Sequence, residues 1–305
     1  MKRLPIMMIV GVSLLAVGCG TPSSGSLGPA PTTTAGASSP ASTPASGTPS
    51  ATASPSGQRP TATPSQAPAR EIGVQAWFSR NGKLFVTQRT VPATTGVGRA
   101  ALDRMLAGPS AAEYAAGLRS RIPATTTVHG VRISAGIATV DLSSSFESAA
   151  TPSAMPLRIA QVVYTLTQFP TVTGVRFAID GQGVTVVGGV PVQSPQTRAM
   201  YSGYLPAITV RSPVIGARLT SPVTVSGTAD VFEATVSVRI LDSAGHEVAR
   251  TFTTASCGTG CRGDYSVTVS YPVPRTQPGT IEVFESSAQD GRPVNVQLIP
   301  VTLAP

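Results

Sequence analysis

The sequence predicts an α+β domain, mainly antiparallel sheet with helices on one face, followed by an all-β sandwich. Three observations carry this. Between residues 72 and 187, alternating apolar runs joined by tight-turn signals are interleaved with segments of helical period. After residue 204 no helical period recurs. In its place come seven short alternating segments in about a hundred residues, the pattern of an immunoglobulin-like sandwich.

The first element is a hairpin. Val74, Ala76 and Phe78 alternate with Gln75, Trp77 and Ser79, Asn81-Gly82 supplies the turn, and residues 84–91 return. Ala101, Leu102, Met105 and Leu106 then share one face of a helix over 98–107, ended by Gly108-Pro109. A short helix is expected over 111–118. Residues 128–134 and 137–142 read as a hairpin about Ala135-Gly136. Pro156 opens a helix reaching 168, with Leu157, Ala160, Val163, Tyr164 and Thr167 on one stripe. A last hairpin is expected from 175–180 and 184–187 across Gly181-Gln182-Gly183. The domain so defined covers 71–190, and a Pro-containing linker covers 191–204. The sandwich covers 205–305, with strands at 207–211, 223–229, 235–242, 247–254, 264–271, 280–286 and 294–303.

Ahead of these lies a segment of different character. Lys2 and Arg3 precede an apolar run from residue 4 to 17, and small residues lead to Cys19. A basic start, a short apolar core and small residues describe a signal peptide over 1–18; the run is about fourteen residues, short of the roughly 20 a spanning helix needs. Residues 20–69 are almost wholly Pro, Ser, Thr, Ala and Gly, with Arg59 the only charge. Such a stretch buries too little apolar surface to offset its ordering entropy, so residues 19–70 are expected to form a disordered linker. At ~3.1 Å per residue its extended reach is roughly 150 Å.

The chain of 305 residues carries 22 Lys+Arg against 14 Asp+Glu, a formal charge of +8. The basic groups are scattered and never interleave with aromatics in runs, which argues against nucleic acid as a partner. Their distribution is uneven. Residues 70–193 hold eleven basic and six acidic groups, whereas 200–305 hold seven and eight. Arg99, Arg104, Arg119 and Arg121 therefore stand as a candidate partner-binding basic face; the alternative is a solvated arginine-rich surface. With Cys19 set aside, Cys257 and Cys261 are an even pair, read as a disulfide closing one short loop in an oxidising compartment. The scarcity of lysine beside abundant Ala, Gly, Pro and Arg suggests a high-GC genome.

Residue types able to carry catalysis are sparse. His129 and His246 are the two histidines, one at a strand start and one in a turn. Gly96-Val97-Gly98 followed by Ala101 fits a loose dinucleotide pattern but is better read as the opening of a helix. Asp141 and Glu147 flank three serines, Asp180-Gly181-Gln182-Gly183 lacks the carboxylates of a calcium loop, and Arg262-Gly263-Asp264 spells a weak adhesion tripeptide. No metal site, cofactor or catalytic residue is expected.

Two resemblances add to this reading. Leu15-Ala16-Val17-Gly18-Cys19 resembles the lipobox of bacterial lipoproteins, with Ala16 where leucine is commoner. That implies cleavage before Cys19 and a diacylglycerol on its sulfur. The stretches Arg99-Ala100-Ala101-Leu102-Asp103-Arg104-Met105-Leu106, Ile122-Pro123, Ala138-Thr139-Val140-Asp141-Leu142, Ile159-Ala160-Gln161-Val162-Val163-Tyr164 and Val175-Arg176-Phe177-Ala178-Ile179-Asp180-Gly181 resemble the GerMN (germane) domain of sporulation and germination proteins. Ile208-Thr209-Val210-Arg211-Ser212-Pro213, Val223-Thr224-Val225-Ser226-Gly227 and Ile281-Glu282-Val283-Phe284-Glu285 resemble the immunoglobulin-like domain that accompanies it. These resemblances imply a non-catalytic lipoprotein anchored on the outer face of the cytoplasmic membrane and extending into the wall. Its expected work is to bind or scaffold envelope proteins or an anionic wall polymer. An accessory cell-wall hydrolase and a solute-binding lipoprotein are the alternatives. The first requires His129 in a cleft with a carboxylate and a serine; the second requires a pocket between the domains.

Overall fold

A computed structural model describes residues 70–305. The signal peptide, Cys19 and the linker as far as residue 69 lie outside the described residues. Strands β1 (Glu71–Arg80) and β2 (Lys83–Pro92) pair antiparallel through their whole lengths. Asn81 and Gly82 both take positive φ, 52° and 74°, which matches the twist of a two-residue hairpin. This ribbon pairs with no other strand of the described residues. Helix α1 (Val97–Leu106) turns Ala101, Leu102 and Met105 inward as its period predicts, and Ala101 packs on Val74 and Val91 near the open end of the ribbon. Helix α2 (Ala111–Ala115) stops three residues before its expected end, where Gly117 takes φ 89°. Its start is closed by a capping box between Ser110 and Glu113.

Strands β3 (Val128–Ser134) and β4 (Ile137–Leu142) form the expected hairpin. Between β4 and β5 (Gly174–Ile179) the pairing is parallel, within an otherwise antiparallel sheet. Parallel neighbours need a crossover, and helix α3 (Met155–Leu166) supplies it. The sheet closes with β6 (Gln182–Gly183) in the order β3-β4-β5-β6. The strand expected at 184–187 is instead two residues, β7 (Val186–Val187), folded back on β8 (Val190–Pro191). Gly188 and Gly189, both at positive φ, turn the chain there, and Gly188 packs so tightly on Met155 that a Cβ would collide with it.

Helix α3 departs from the one-stripe expectation. Every residue but Pro156 is buried, because α3 touches the β1–β2 ribbon as well as β5. Its polar side chains are therefore bonded inside. Gln161 donates to Trp77 O at 2.8 Å and accepts from Arg121 N at 2.8 Å. Arg158 donates to the carbonyls of Phe146 and Ser148.

The linker region holds a 3-10 helix, Arg198–Tyr204. Beyond it come β9 (Ile208–Ser212), β10 (Arg218–Thr220), β11 (Val223–Ala229), β12 (Thr235–Leu241), β13 (Glu247–Thr254), β14 (Gly263–Val269), β15 (Gln277–Ser286) and β16 (Pro293–Ala304). They form a three-stranded sheet, β14-β11-β9, and a five-stranded sheet, β10-β16-β15-β12-β13. Seven strands were expected; the eighth, β10, is three residues paired parallel to the end of β16. Inward residues such as Val225, Val236, Val238, Ile240, Ile281, Val283 and Ile299 make the core. Cys257 and Cys261 are joined, with Cα atoms 5.5 Å apart.

The apolar core runs without a break from the first domain into the second. Polar bonds seal the seam. Near the hairpin tip Arg80 donates to Leu298 O at 3.0 Å and Gln297 Oε1 at 2.8 Å, and Lys83 donates to Gly203 O at 2.7 Å.

Candidate functional site

The four predicted arginines fall into two groups. Arg99 and Arg104 lie on the exposed side of α1, at the open end of the ribbon. Arg99 pairs with Asp103 one turn away at 3.0 Å, worth only a few tenths of a kcal/mol at such exposure, roughly 0.3–0.5. Arg104 makes no hydrogen bond or ion pair among the described residues. Arg119 and Arg121 stand instead near the ribbon's tip. Arg119 exchanges backbone bonds with Ser79, donates to the carbonyls of Tyr114 and Leu118, and stacks on Tyr114 with 3.6 Å to the ring centroid. Arg121 donates to Ser79 Oγ at 3.0 Å. Those two side chains organise the loop after α2, and the structure does not merge them with the α1 pair.

Sequence inspection passes over what stands beside α1. Strand β3 is the edge of its sheet, and α1 packs across it, with Gly98 against Val131. Arg132 and Ile133 of β3 are exposed, Ile133 by 45%. Val131 faces α1, so its strand neighbour Arg132 points to the opposite face of the sheet, away from Arg99 and Arg104. The signal was available only as a topology, because nothing in the sequence states that β3 is an edge.

The histidines are solvent-facing. His129 Nδ1 is 3.9 Å from Asp141 and 3.8 Å from Asp180, its Nε2 is 3.4 Å from Thr127 Oγ1, and its side chain is 42% exposed. This is an exposed cluster, and no hydrogen bond joins His129 to a serine among the described residues. His246 sits in its turn, where Asp242 binds the amides of Ala244 and His246. Those amides and His246 hold the Asp242 carboxyl below the usual range. Asp141, Asp180 and Glu147 accept amide bonds from Gly181, Ser144 and Gly188 in turn, so each fixes a loop. No group of three or more His, Cys, Asp or Glu side chains among the described residues is arranged to hold a metal ion, and none of their helices is long and apolar enough to cross a membrane. Gly96 precedes α1 as the opening residue. Arg262 of the adhesion-like tripeptide points into the seam, donating to Pro206 O at 2.6 Å, so the tripeptide is not displayed as a loop tip.

The seam holds two cavities. One, of about 410 Å³, lies between the hairpin tip, α2 and β16, with Arg80 and Lys83 at its wall. The other, of about 330 Å³, is walled by Trp77 and Tyr164 of the first domain, Arg198 of the 3-10 helix, and Arg211 and Arg262 of the sandwich. Burial lowers the guanidinium pKa of Arg80, Arg198 and Arg262. Burial also pushes the Tyr201 phenol up to about 12. Separation in sequence hid this convergence.

An α+β domain with a parallel crossover is joined by a continuous core to a β-sandwich. Residues 76–185 match the family described as sporulation and spore germination, and residues 207–292 match the immunoglobulin-like domain of bacterial spore germination. The chain therefore carries a GerMN domain followed by the immunoglobulin-like domain of spore germination. Among solved structures, the first GerMN domain of the sporulation protein GerM from Bacillus subtilis is 26% identical, over 42% of this chain and 98% of that one, with a TM-score of 0.37. The tandem GerMN domains of the same protein are 17% identical over 77% of this chain, with a TM-score of 0.38; this chain spans 61% of that length. No curated protein matches the chain.

Proposed function

We propose that this protein is a non-catalytic, membrane-anchored lipoprotein of the cell envelope that binds and scaffolds another envelope protein, with wall polymer as the competing ligand. Both domains belong to sporulation- and germination-associated families. The observation that carries the reading is the unpaired edge of strand β3. An unpaired edge offers a row of backbone donors and acceptors to an added strand, and the exposed Arg132 on that strand favours an acidic partner segment.

The test is in-cell crosslinking of the tagged full-length protein, followed by mass spectrometry. A discrete protein partner lost in Arg132→Glu supports the scaffold. Crosslinks unchanged by that reversal overturn the assignment of this edge. Co-sedimentation with purified wall material and no protein crosslink would replace the protein partner by a polymer. Arg119 and Arg121 are unsuitable for reversal, because they hold the loop after α2.

A further inference from the structure

The 330 Å³ seam cavity brings together three guanidiniums and no carboxylate in its wall. Arg198 donates through Nε to Thr167 Oγ1 at 2.8 Å and through Nη2 to Tyr164 O at 2.9 Å. Its plane lies over Tyr164, 4.7 Å from the ring centroid, and 5.6 Å from that of Trp77. Its Nη1 has no partner among the described residues. Arg211 donates through Nη2 to Asp264 at 2.7 Å and to Gly227 O at 3.3 Å, leaving Nε and Nη1 unused. Arg262 is bonded to neutral oxygens only, those of Pro206, Ala207 and Thr228. The flanking acids are Asp264, 69% exposed beside Arg211, and Asp230, which draws on Arg262 while accepting the Gly260 amide. Cationic charge is thus incompletely matched where it is most enclosed, and Arg211 adds to the burial that disfavours the Arg198 cation. The indole N–H of Trp77, a further wall residue, is buried and unpartnered.

We propose that this cavity is a binding site for a small phosphate monoester. A phosphoryl group presents three terminal oxygens to three converging guanidiniums, where a carboxylate presents two, and guanidinium N–H groups match both its charge and its geometry. The volume is at the small end for ligand sites and leaves space for a body of sugar size against Tyr164 and the hydroxyls of Thr167 and Thr209. Because the wall is drawn from both domains and the 3-10 helix, the site exists only in the assembled chain. It is independent of what the β3 edge contacts.

Trp77 is the only tryptophan in the chain, so its fluorescence reports on this cavity alone. The experiment titrates the full-length protein in detergent micelles with inorganic phosphate and with glucose 1-phosphate, at ionic strength held constant with sodium chloride. The expected result is a saturable change for both, weakened tenfold or more in Arg211→Gln and unaltered in Arg275→Gln, an exposed control of equal charge change. Arg198→Met should abolish it; if that variant fails to fold by circular dichroism, Arg211→Gln, whose arginine is half-exposed, carries the test. A change reproduced by chloride alone, or an Arg211→Gln response equal to wild type, overturns the site.

Discussion

Glu113 is the side chain whose loss should cost the first domain most for its size. It is 2% exposed, yet it carries a charge. Arg89 donates to Oε1 at 2.8 Å and to Oε2 at 2.5 Å, Thr87 Oγ1 donates to Oε1 at 2.5 Å, and Ser110 N donates to Oε2 at 2.7 Å. Replacing it with alanine removes the Ser110 N–H half of the α2 capping box and strips Arg89 of its counter-charge. Breaking a fully buried pair costs about 3–5 kcal/mol; the Arg89 side chain retains 19% exposure, so about 3 kcal/mol is expected. For a folded unit of this size that is about 6–12 °C in Tm, at ~2–4 °C per kcal/mol. The assay is urea and thermal unfolding followed by Trp77 fluorescence. pH gives an independent check. Burial pushes the Glu113 pKa up, but the bonds from Arg89, Thr87 and Ser110 and the Arg89 charge outweigh it, and the net direction is down. A carboxylate depressed in the folded state contributes its stability in full above the unfolded value of ~4.3, and loses it as pH falls through the folded value. Wild type should therefore lose stability on acidification below about pH 5 more steeply than Glu113→Gln. A Glu113→Ala cost below about 1 kcal/mol, the level of an exposed pair, together with parallel pH profiles, would refute the reasoning.

Other perturbations have equally definite outcomes. Cys257→Ser with Cys261→Ser should lower stability by about 2 kcal/mol, since so small a ring restricts the unfolded chain little; denaturant titration measures it. Gly227→Ala should destabilise the sandwich by about 1–3 kcal/mol or more, because its Cβ would collide with the Thr209 carbonyl and crowd the Tyr265 hydroxyl that bonds it. Arg80→Ala should lower stability by about 1.5–3 kcal/mol while unfolding stays a single transition in calorimetry, as the bonds to Gln297 and Leu298 are lost but the continuous core remains. Cys19→Ala should move the protein from the membrane fraction to the soluble fraction, read by fractionation and immunoblotting.

Periodicity and turn chemistry made most of the architecture legible. Asn81-Gly82 fixes a hairpin by itself, and strands β3, β4, β11 and β13 begin and end where alternation does. What escaped is non-local. The parallel β4–β5 pairing depends on where α3 returns the chain. Burial of α3 on all sides depends on the ribbon covering its second face, so Ile159, Val162 and Leu166 look like spare apolar residues until β1 is in place. The three-residue β10 is too short for any period. The basic face was partly legible: arginine positions are visible in sequence, but only the contacts show that Arg119 and Arg121 are bound up with Tyr114 and Ser79 while Arg104 is unengaged. The seam arginines, at 198, 211 and 262, had no spacing to find.

The continuous core also bears on how such a protein can evolve. A first domain detached from its sandwich would expose the apolar seam and leave Arg80 without its acceptors. A foreign second domain would have to supply acceptors where the Leu298 carbonyl and the Gln297 side-chain oxygen now stand. Exchange of partners by gene fusion is therefore constrained, and the two domains are expected to pass between lineages as a pair, with their surfaces diverging faster than the seam.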